Sequence, residues 1–265
     1  SVSPAMQEAG FAAAGIQARY ERIDVPPENF RQTVEHLRHA GYTGWNITIP
    51  HKERALACVD TVDPAAASAG SINTVVNRAG TLTGYSTDGY GLMRAVQERF
   101  DIRLDGAAVA FLGAGGAARA TAVTFALQGC SRLLVTNRTV SKAQALVKTV
   151  AEAAPCCRTQ CLPLSDTGAV AAALEEMDLL IQATSLGLTP DDPLPFPPGA
   201  LPEGLPVLDM IYRETPFLEK AAARGCPTAD GRAMLLYQGA RSFELWTGID
   251  APVEAMRKAM EDALG

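Results

Sequence analysis

Three polar positions stand where a structural strand or turn has no use for them. Lys52 follows Asn46-Ile47-Thr48-Ile49-Pro50-His51, just past an expected strand end. Asn73-Thr74 lies inside an otherwise apolar strand, and Thr87-Asp88-Gly89 sits where the pattern of the chain changes. A lysine held beside a carboxylate can shuttle a proton, its affinity for that proton set by burial and by the neighbouring charge. If the two halves of the chain face one another, Lys52 and Asp88 meet at the cleft between them. Taken singly, each residue serves as well in a surface ion pair or a cap. Their weight comes from bracketing the loop that follows.

Gly113-Ala114-Gly115-Gly116-Ala117-Ala118-Arg119 comes directly after the apolar run 109–112 and opens an expected helix. Glycines there permit a tight turn and close backbone approach, so the amides of the helix N-terminus can face a pyrophosphate. The pattern is G-x-G-G-x-A rather than the usual fingerprint, but its strand–turn–helix context is present. A glycine turn of purely structural use fits the same residues. An NAD site would place Asp or Glu at the end of the next strand for the ribose hydroxyls. Here Asn137-Arg138-Thr139 stands instead, with Lys142 one helical step beyond. Arg138 and Lys142 can pair with a 2′-phosphate and Thr139 can donate to it, which favours NADP over NAD. An ordinary solvated cation near a helix start is the plain alternative.

These groups need a scaffold, and 265 residues suffice for one large domain or two small ones. Hydrophobic residues make up 48% and charged residues 20%, enough for a sizeable core and against disorder. Lys+Arg total 23 against 29 Asp+Glu, and no basic run offsets the net charge of −6, so nucleic acid is not an expected partner. No apolar stretch approaches the roughly 18 residues of a membrane span, and no signal peptide is read in the opening residues. Cys58, Cys130, Cys156, Cys157, Cys161 and Cys226 form no CxxC pair and read as the reduced thiols of a cytoplasmic protein.

The first third mixes helices with short strands. A helix is expected at Ser3-Pro4, with the hydroxyl as N-cap and proline at the first helical position. A second begins near Pro27-Glu28, carries Phe30, Val34 and Leu37 at helical spacing, and stops at Gly41. A strand is expected over 45–49, then a hairpin of 71–77 and 81–85 turned at Arg78-Ala79-Gly80. From about Asp88 the runs 109–112, 132–136, 178–183 and 206–211 alternate with helical segments 117–127, 141–153 and 169–176. Unbroken apolar strands between helices imply a parallel sheet covered on both faces. Residues 191–206 read as a proline-rich loop. After Asp230-Gly231 the chain reads as helical to its end, with a break over 248–252. The expected architecture is α/β, with a substrate-binding catalytic domain of 1–87 and 231–265. A Rossmann-like dinucleotide domain spans 88–230, and the last helices return to the first domain.

In chain order, the sequence resembles the shikimate dehydrogenase family at Ser1-Val2-Ser3-Pro4, at 46–52, at Ile72-Asn73-Thr74 and at Ser86-Thr87-Asp88-Gly89. The likeness continues at 113–120, Asn137-Arg138-Thr139, Ala183-Thr184-Ser185, Asp209-Met210-Ile211-Tyr212 and Tyr237-Gln238-Gly239-Ala240. It implies an NADP-linked reduction of 3-dehydroshikimate to shikimate, a step of aromatic amino-acid biosynthesis, with Lys52 and Asp88 as the catalytic pair. By the same resemblance Ser1, Ser3 and Tyr212 contact the substrate carboxylate, and Thr48, Asn73 and Gln238 hold ring hydroxyls. The nucleotide falls to Gly113, Ala114, Gly115, Gly116, Ala117, Asn137, Arg138, Thr139, Lys142, Thr184 and Ser185. Hydroxyls at a helix N-terminus suit an anion, and Asn and Gln suit a polyhydroxylated ring.

The sequence also departs from the family's pattern. A further glycine-bearing strand normally precedes the serine motif, whereas this sequence opens at Ser1; without it an edge of the first sheet is expected to be exposed. The usual His-Asn after the serines is Gln7-Glu8, the usual Asn before Thr87-Asp88 is Ser86, and Ser71 replaces a common small alanine. Two rivals stay open: a quinate/shikimate dehydrogenase using NAD, and a non-catalytic ligand sensor. The expected partner is a small molecule, not nucleic acid or membrane, and the expected state is a monomer or homodimer. His36 and His39 read as a helix face without a carboxylate or thiol partner, so no metal is expected. Cys156, Cys157 and Cys161 fall in an expected polar connector. Phe243, Leu245 and Trp246 read as core, and His51 as a neighbour of Lys52 only.

Overall fold

The computed structural model describes residues 1–189 and 191–265. It separates into two compact units, Ser1–Gly91 with Leu235–Gly265, and Leu92–Met234. The first unit opens with α1 (Ser3–Ala13), which starts one residue earlier than expected. Val2, in helical backbone geometry, is its N-cap, and Pro4 sits in the first turn, where its missing N–H costs nothing. Ser3 is therefore no cap: its hydroxyl accepts from Ser1 Oγ at 3.3 Å. One 3-10 turn, Pro27–Asn29, leads into α2 (Phe30–His39), which buries Phe30, Val34 and Leu37. His39 does have a carboxylate partner, Glu35 Oε1 one turn back at 3.0 Å, which corrects the sequence reading.

Strand β1 (Gly44–Asn46) ends three residues short of expectation. Ile47 N–H still reaches Asn73 O, but the chain then turns, His51 N–H donating to Thr48 O at 2.9 Å. Pro50 has no N–H with which to extend a ladder. Neither β2 (Thr61–Val62) nor α3 (Pro64–Ala69) was legible in the sequence; Asp63 caps the latter, its Oδ1 accepting from Ala65 N–H at 3.0 Å. β3 (Thr74–Arg78) and β4 (Thr81–Tyr85) form the hairpin. The sheet order is β1-β3-β4-β2. β1 is thus an edge strand, and a groove of about 230 Å³ is lined by it together with residues of the stretch 19–25. Phe30, Val34, Ile47, Ile72, Val75 and Leu82 build the core on this sheet. α4 (Asp88–Phe100) closes the first stretch of the chain.

The second unit runs β5 (Ala108–Leu112), α5 (Gly116–Leu127), β6 (Arg132–Asn137), α6 (Val140–Ala153), β7 (Arg158–Pro163) and α7 (Thr167–Leu174). It continues with β8 (Leu179–Gln182), β9 (Val207–Asp209), α8 (Pro216–Ala223) and β10 (Thr228–Ala229). All pairs are parallel, in the order β10-β9-β8-β5-β6-β7. From β5 the chain winds one way through β6 and β7, then crosses to β8 and winds the other way. This doubly wound order puts a topological switch point between β5 and β8. β7 corrects the expected connector: Cys161 lies in it and Cys157 is buried just before it. As an edge strand it is covered only in part, so its sequence lacks the unbroken apolar run of the strands inside. The proline-rich stretch is irregular apart from a 3-10 turn at Pro198–Ala200, and it sends Phe196, Leu201 and Leu205 into the core.

α9 (Arg232–Thr247) and α10 (Val253–Leu264) end the chain. The division between units falls inside α4 and α9. In the first unit, Met6 and Phe11 of α1 share a core with Leu236, Ala240 and Phe243 of α9 and Met256 and Met260 of α10. Trp246 Nε1–H donates to Val75 O at 2.9 Å, joining α9 to β3. Among the described residues no helix is long and apolar enough to cross a membrane.

Candidate active site

Lys52 lies in the turn after β1, its backbone tied to the start of the hairpin by Ile72 N–H donating to Lys52 O at 3.0 Å. Asp88 is the first residue of α4, where the helix N-terminus favours a negative charge. Lys52 Nζ donates to Asp88 Oδ2 at 2.5 Å, with the lysine side chain 26% exposed and the carboxylate 10%. Both members of the pair belong to the first unit.

The carboxylate is held from behind as well. Asn73 Nδ2 donates to Asp88 Oδ1 at 2.9 Å and to Thr87 Oγ1 at 3.0 Å, while its Oδ1 accepts from Thr87 N–H at 2.8 Å. Both Asn73 N–H groups are committed, so its part here is to aim Asp88. Thr74 Oγ1 lies 2.8 Å from Ser242 Oγ, which in turn donates to Gln238 O. Asn46 Nδ2 donates to Thr74 Oγ1 and Ser242 Oγ, and Tyr20 O–H donates to Asn46 Oδ1 at 2.9 Å. Burial pushes the Tyr20 phenol up to about 12, which keeps it a donor. A continuous polar network thus backs the ion pair, and a satisfied network of this kind fixes one geometry. The sequence reading missed Tyr20 and Ser242. Ser242 sits one helical turn after Gln238, a spacing that signals a shared face.

The other expected substrate residues stand on several elements. Ser1 and Ser3 lie at the start of α1, where Ser1 Oγ accepts from Ser3 N–H at 3.4 Å. Thr48 is exposed in the turn before Lys52, and Gln238 is half-buried on α9, its Nε2 donating to Leu235 O. Tyr212 belongs to the second unit and is 50% exposed. The buried hydroxyl of Ser86 has no hydrogen-bond partner among the described residues. His51 is structural: its Nε2 lies 2.8 Å from Val25 O and its ring stacks on Phe30 at 4.5 Å.

In the second unit the expected nucleotide residues gather at the C-terminal ends of neighbouring strands. Leu112 pairs with Thr136 on one side and Gln182 on the other, so the loops starting at Gly113, Asn137 and Ala183 emerge together. Gly113 has φ +110°, and a Cβ there would lie 2.9 Å from Thr184 Cγ2. Gly115 is the N-cap of α5 and brings no side chain to the first amides, while among the described residues nothing lies within 4 Å of where its Cβ would be. Gly115, Gly116 and Ala117 are exposed and Ala114 is half-buried. Asn137 Nδ2 donates to Thr139 O at 2.8 Å, shaping the turn that presents Arg138, Thr139 and Lys142 to solvent. An open amide cradle with two cations beside it, and no carboxylate at the end of β6, fits a phosphorylated dinucleotide.

The fold and this geometry define a two-unit α/β protein of the dinucleotide-binding kind. Family models agree: the shikimate dehydrogenase substrate binding domain matches residues 1–75, shikimate / quinate 5-dehydrogenase 94–188, and the shikimate 5′-dehydrogenase C-terminal domain 231–261. The shikimate dehydrogenase (NADP(+)) of Symbiobacterium thermophilum is 42% identical over 270 residues, covering 100% of this chain and 90% of that protein. The structure of shikimate 5-dehydrogenase from Listeria monocytogenes in complex with shikimate and NAD matches with a TM-score of 0.92. The two are 32% identical, over 100% of this chain and 92% of that one. The Thermus thermophilus enzyme in complex with NADP(H) and shikimate matches with a TM-score of 0.86 at 36% identity, over 99% and 95% of the chains. The chain belongs to the shikimate dehydrogenase family.

Proposed function

We propose that this chain catalyses the reversible NADP-linked reduction of 3-dehydroshikimate to shikimate. The observation that carries the reading is the Lys52–Asp88 pair, a proton donor set 2.5 Å from a carboxylate that Asn73 holds in place. Hydride transfer is the chemistry that NADP supplies when bound. Lys52 Nζ gives a proton to the carbonyl oxygen in reduction and takes it back from the hydroxyl in oxidation. Asp88 keeps the ammonium oriented.

Residues 113–117 with Asn137, Arg138, Thr139, Lys142, Thr184 and Ser185 are assigned to the nucleotide. Ser1, Ser3 and Tyr212 are assigned to the substrate carboxylate and Thr48 and Gln238 to ring hydroxyls, while Asn73, first expected on a ring hydroxyl, is given the aiming of Asp88 because both its N–H groups are committed. In this reading 1–87 with 231–265 form the catalytic domain and 88–230 the nucleotide domain, in a cytoplasmic enzyme acting on a small molecule. Steady-state assays with shikimate and quinate, each with NADP and NAD, test it. The highest kcat/KM is expected for shikimate with NADP. A preference for quinate with NAD would replace it by the related dehydrogenase, and binding without turnover by a ligand sensor.

A further inference from the structure

Gln182 and Asp209 are both fully buried and stand opposite one another as the last residues of β8 and β9. Gln182 Oε1 accepts from Thr184 N–H at 2.6 Å, and its Nε2 donates to Leu186 O at 3.0 Å and reaches Asp209 Oδ1 at 3.5 Å. Asp209 Oδ1 also accepts from Ile211 N–H at 3.0 Å, and its Oδ2 accepts from the Thr215 hydroxyl at 2.8 Å. A parallel sheet asks for apolar side chains at such positions, and a buried carboxylate costs stability. Burial at that cost needs a reason.

Their contacts supply one. Gln182 shapes the loop 183–188 and Asp209 the turn 210–215, and the two segments are packed together. A Cβ at Gly187 (φ +107°) would lie 3.3 Å from both Ile211 Cδ1 and Thr215 Cγ2, and Arg213 donates to Gly187 O at 2.8 Å. On its other side Thr184 packs against Gly113. A contiguous chain of contacts thus runs from the glycine loop through Thr184, Gln182, Asp209 and Ile211 to Tyr212.

We propose that Gln182 and Asp209 are positioning residues that hold the nucleotide loops and the Tyr212 turn in one register, so that nucleotide and substrate carboxylate are gripped together. This rests on the function proposed above. Removing Asp209 frees Ile211 N–H and Thr215, and Tyr212 loses its fixed direction while Lys52 and Asp88 are untouched. Removing Gln182 loosens both loops.

The test combines shikimate kinetics with NADP binding measured calorimetrically in the absence of substrate. D209A is expected to raise the KM for shikimate about tenfold or more, with kcat and the NADP Kd each within about threefold of wild type. Q182A is expected to weaken NADP binding about tenfold and to raise the shikimate KM as well. D209N, which keeps the shape and the oxygen that accepts from Ile211, should return KM to within about threefold of wild type. An unchanged KM in folded D209A, a loss confined to kcat, or a D209N as impaired as D209A would overturn the proposal. Where D209A does not fold, T215V removes the hydroxyl that bonds Oδ2 and also caps α8 by accepting from Leu218 N–H at 3.4 Å; KM should rise with kcat kept, T215S should restore it, and an unmoved T215V would overturn the proposal. A wild type that does not oxidise shikimate refutes the function and this inference together; an active wild type with an unmoved D209A refutes the inference alone.

Discussion

Arg138 has one task in this account: to meet a phosphate. It stands exposed at the end of β6, beside Lys142, where an NAD-specific site would carry an acid. R138A should therefore raise the KM for NADPH about tenfold or more and that for NADH less than about twofold, the loss expected of a charge-assisted contact. Equal effects on both cofactors would remove the basis for the cofactor assignment. Residues of this kind are legible in a sequence, because a cation or its absence after a glycine turn is a statement about charge. Lys52 and Asp88 are legible for the same reason. Tyr20, Ser242 and Gln182 are not, since a hydroxyl or amide on an apolar element carries no sign of what it bonds. Asn73 lies between these cases: its place in the site was readable, but its commitment to Thr87 and Asp88 was not.

At the scale of elements, the glycine turn is the most constrained feature. Gly113 combines a left-handed φ with a side-chain position already taken by Thr184 and the Ala183 backbone. G113A should cost about 1–3 kcal/mol of local strain and weaken NADP binding by a matching factor of about tenfold or more. Titration of the variant with NADP checks this; unchanged affinity would mean that the turn does not form the cradle. The strands of the second unit were readable because both faces are buried, as in 109–112 and 132–136. β7 was not, because an edge strand needs no continuous apolar run, and β2 was too short for any period to show. The strand at 45–49 was overextended because alternation continues past Asn46, while hydrogen bonding stops at the turn imposed around Pro50.

For the whole molecule, pH acts on stability through Asp209. Burial pushes its carboxyl up from 3.8 to about 6, with Asp230 adding a smaller push in the same direction. An acid of raised affinity binds its proton more tightly folded than unfolded. Its contribution is therefore complete below 3.8 and is lost as pH rises toward 6. The loss amounts to about 3 kcal/mol. D209N has no such proton, so its stability relative to wild type should rise by about that amount across the same interval in denaturant titrations. Parallel pH profiles would contradict this. The parallel sheet of the second unit was legible from the change of pattern near Asp88, since alternating runs and helices declare such a sheet. Placing the divisions inside α4 and α9 was beyond the sequence, because a helix continues its period across such a boundary.

Proton transfer by Lys52 is the claim on which the account turns, and K52A measured for both turnover and NADP binding tests it most directly. Wild type should reduce NADP with shikimate, and K52A should do so about two or more orders of magnitude more slowly while binding NADP as wild type does. Turnover in K52A close to that of wild type would contradict the account.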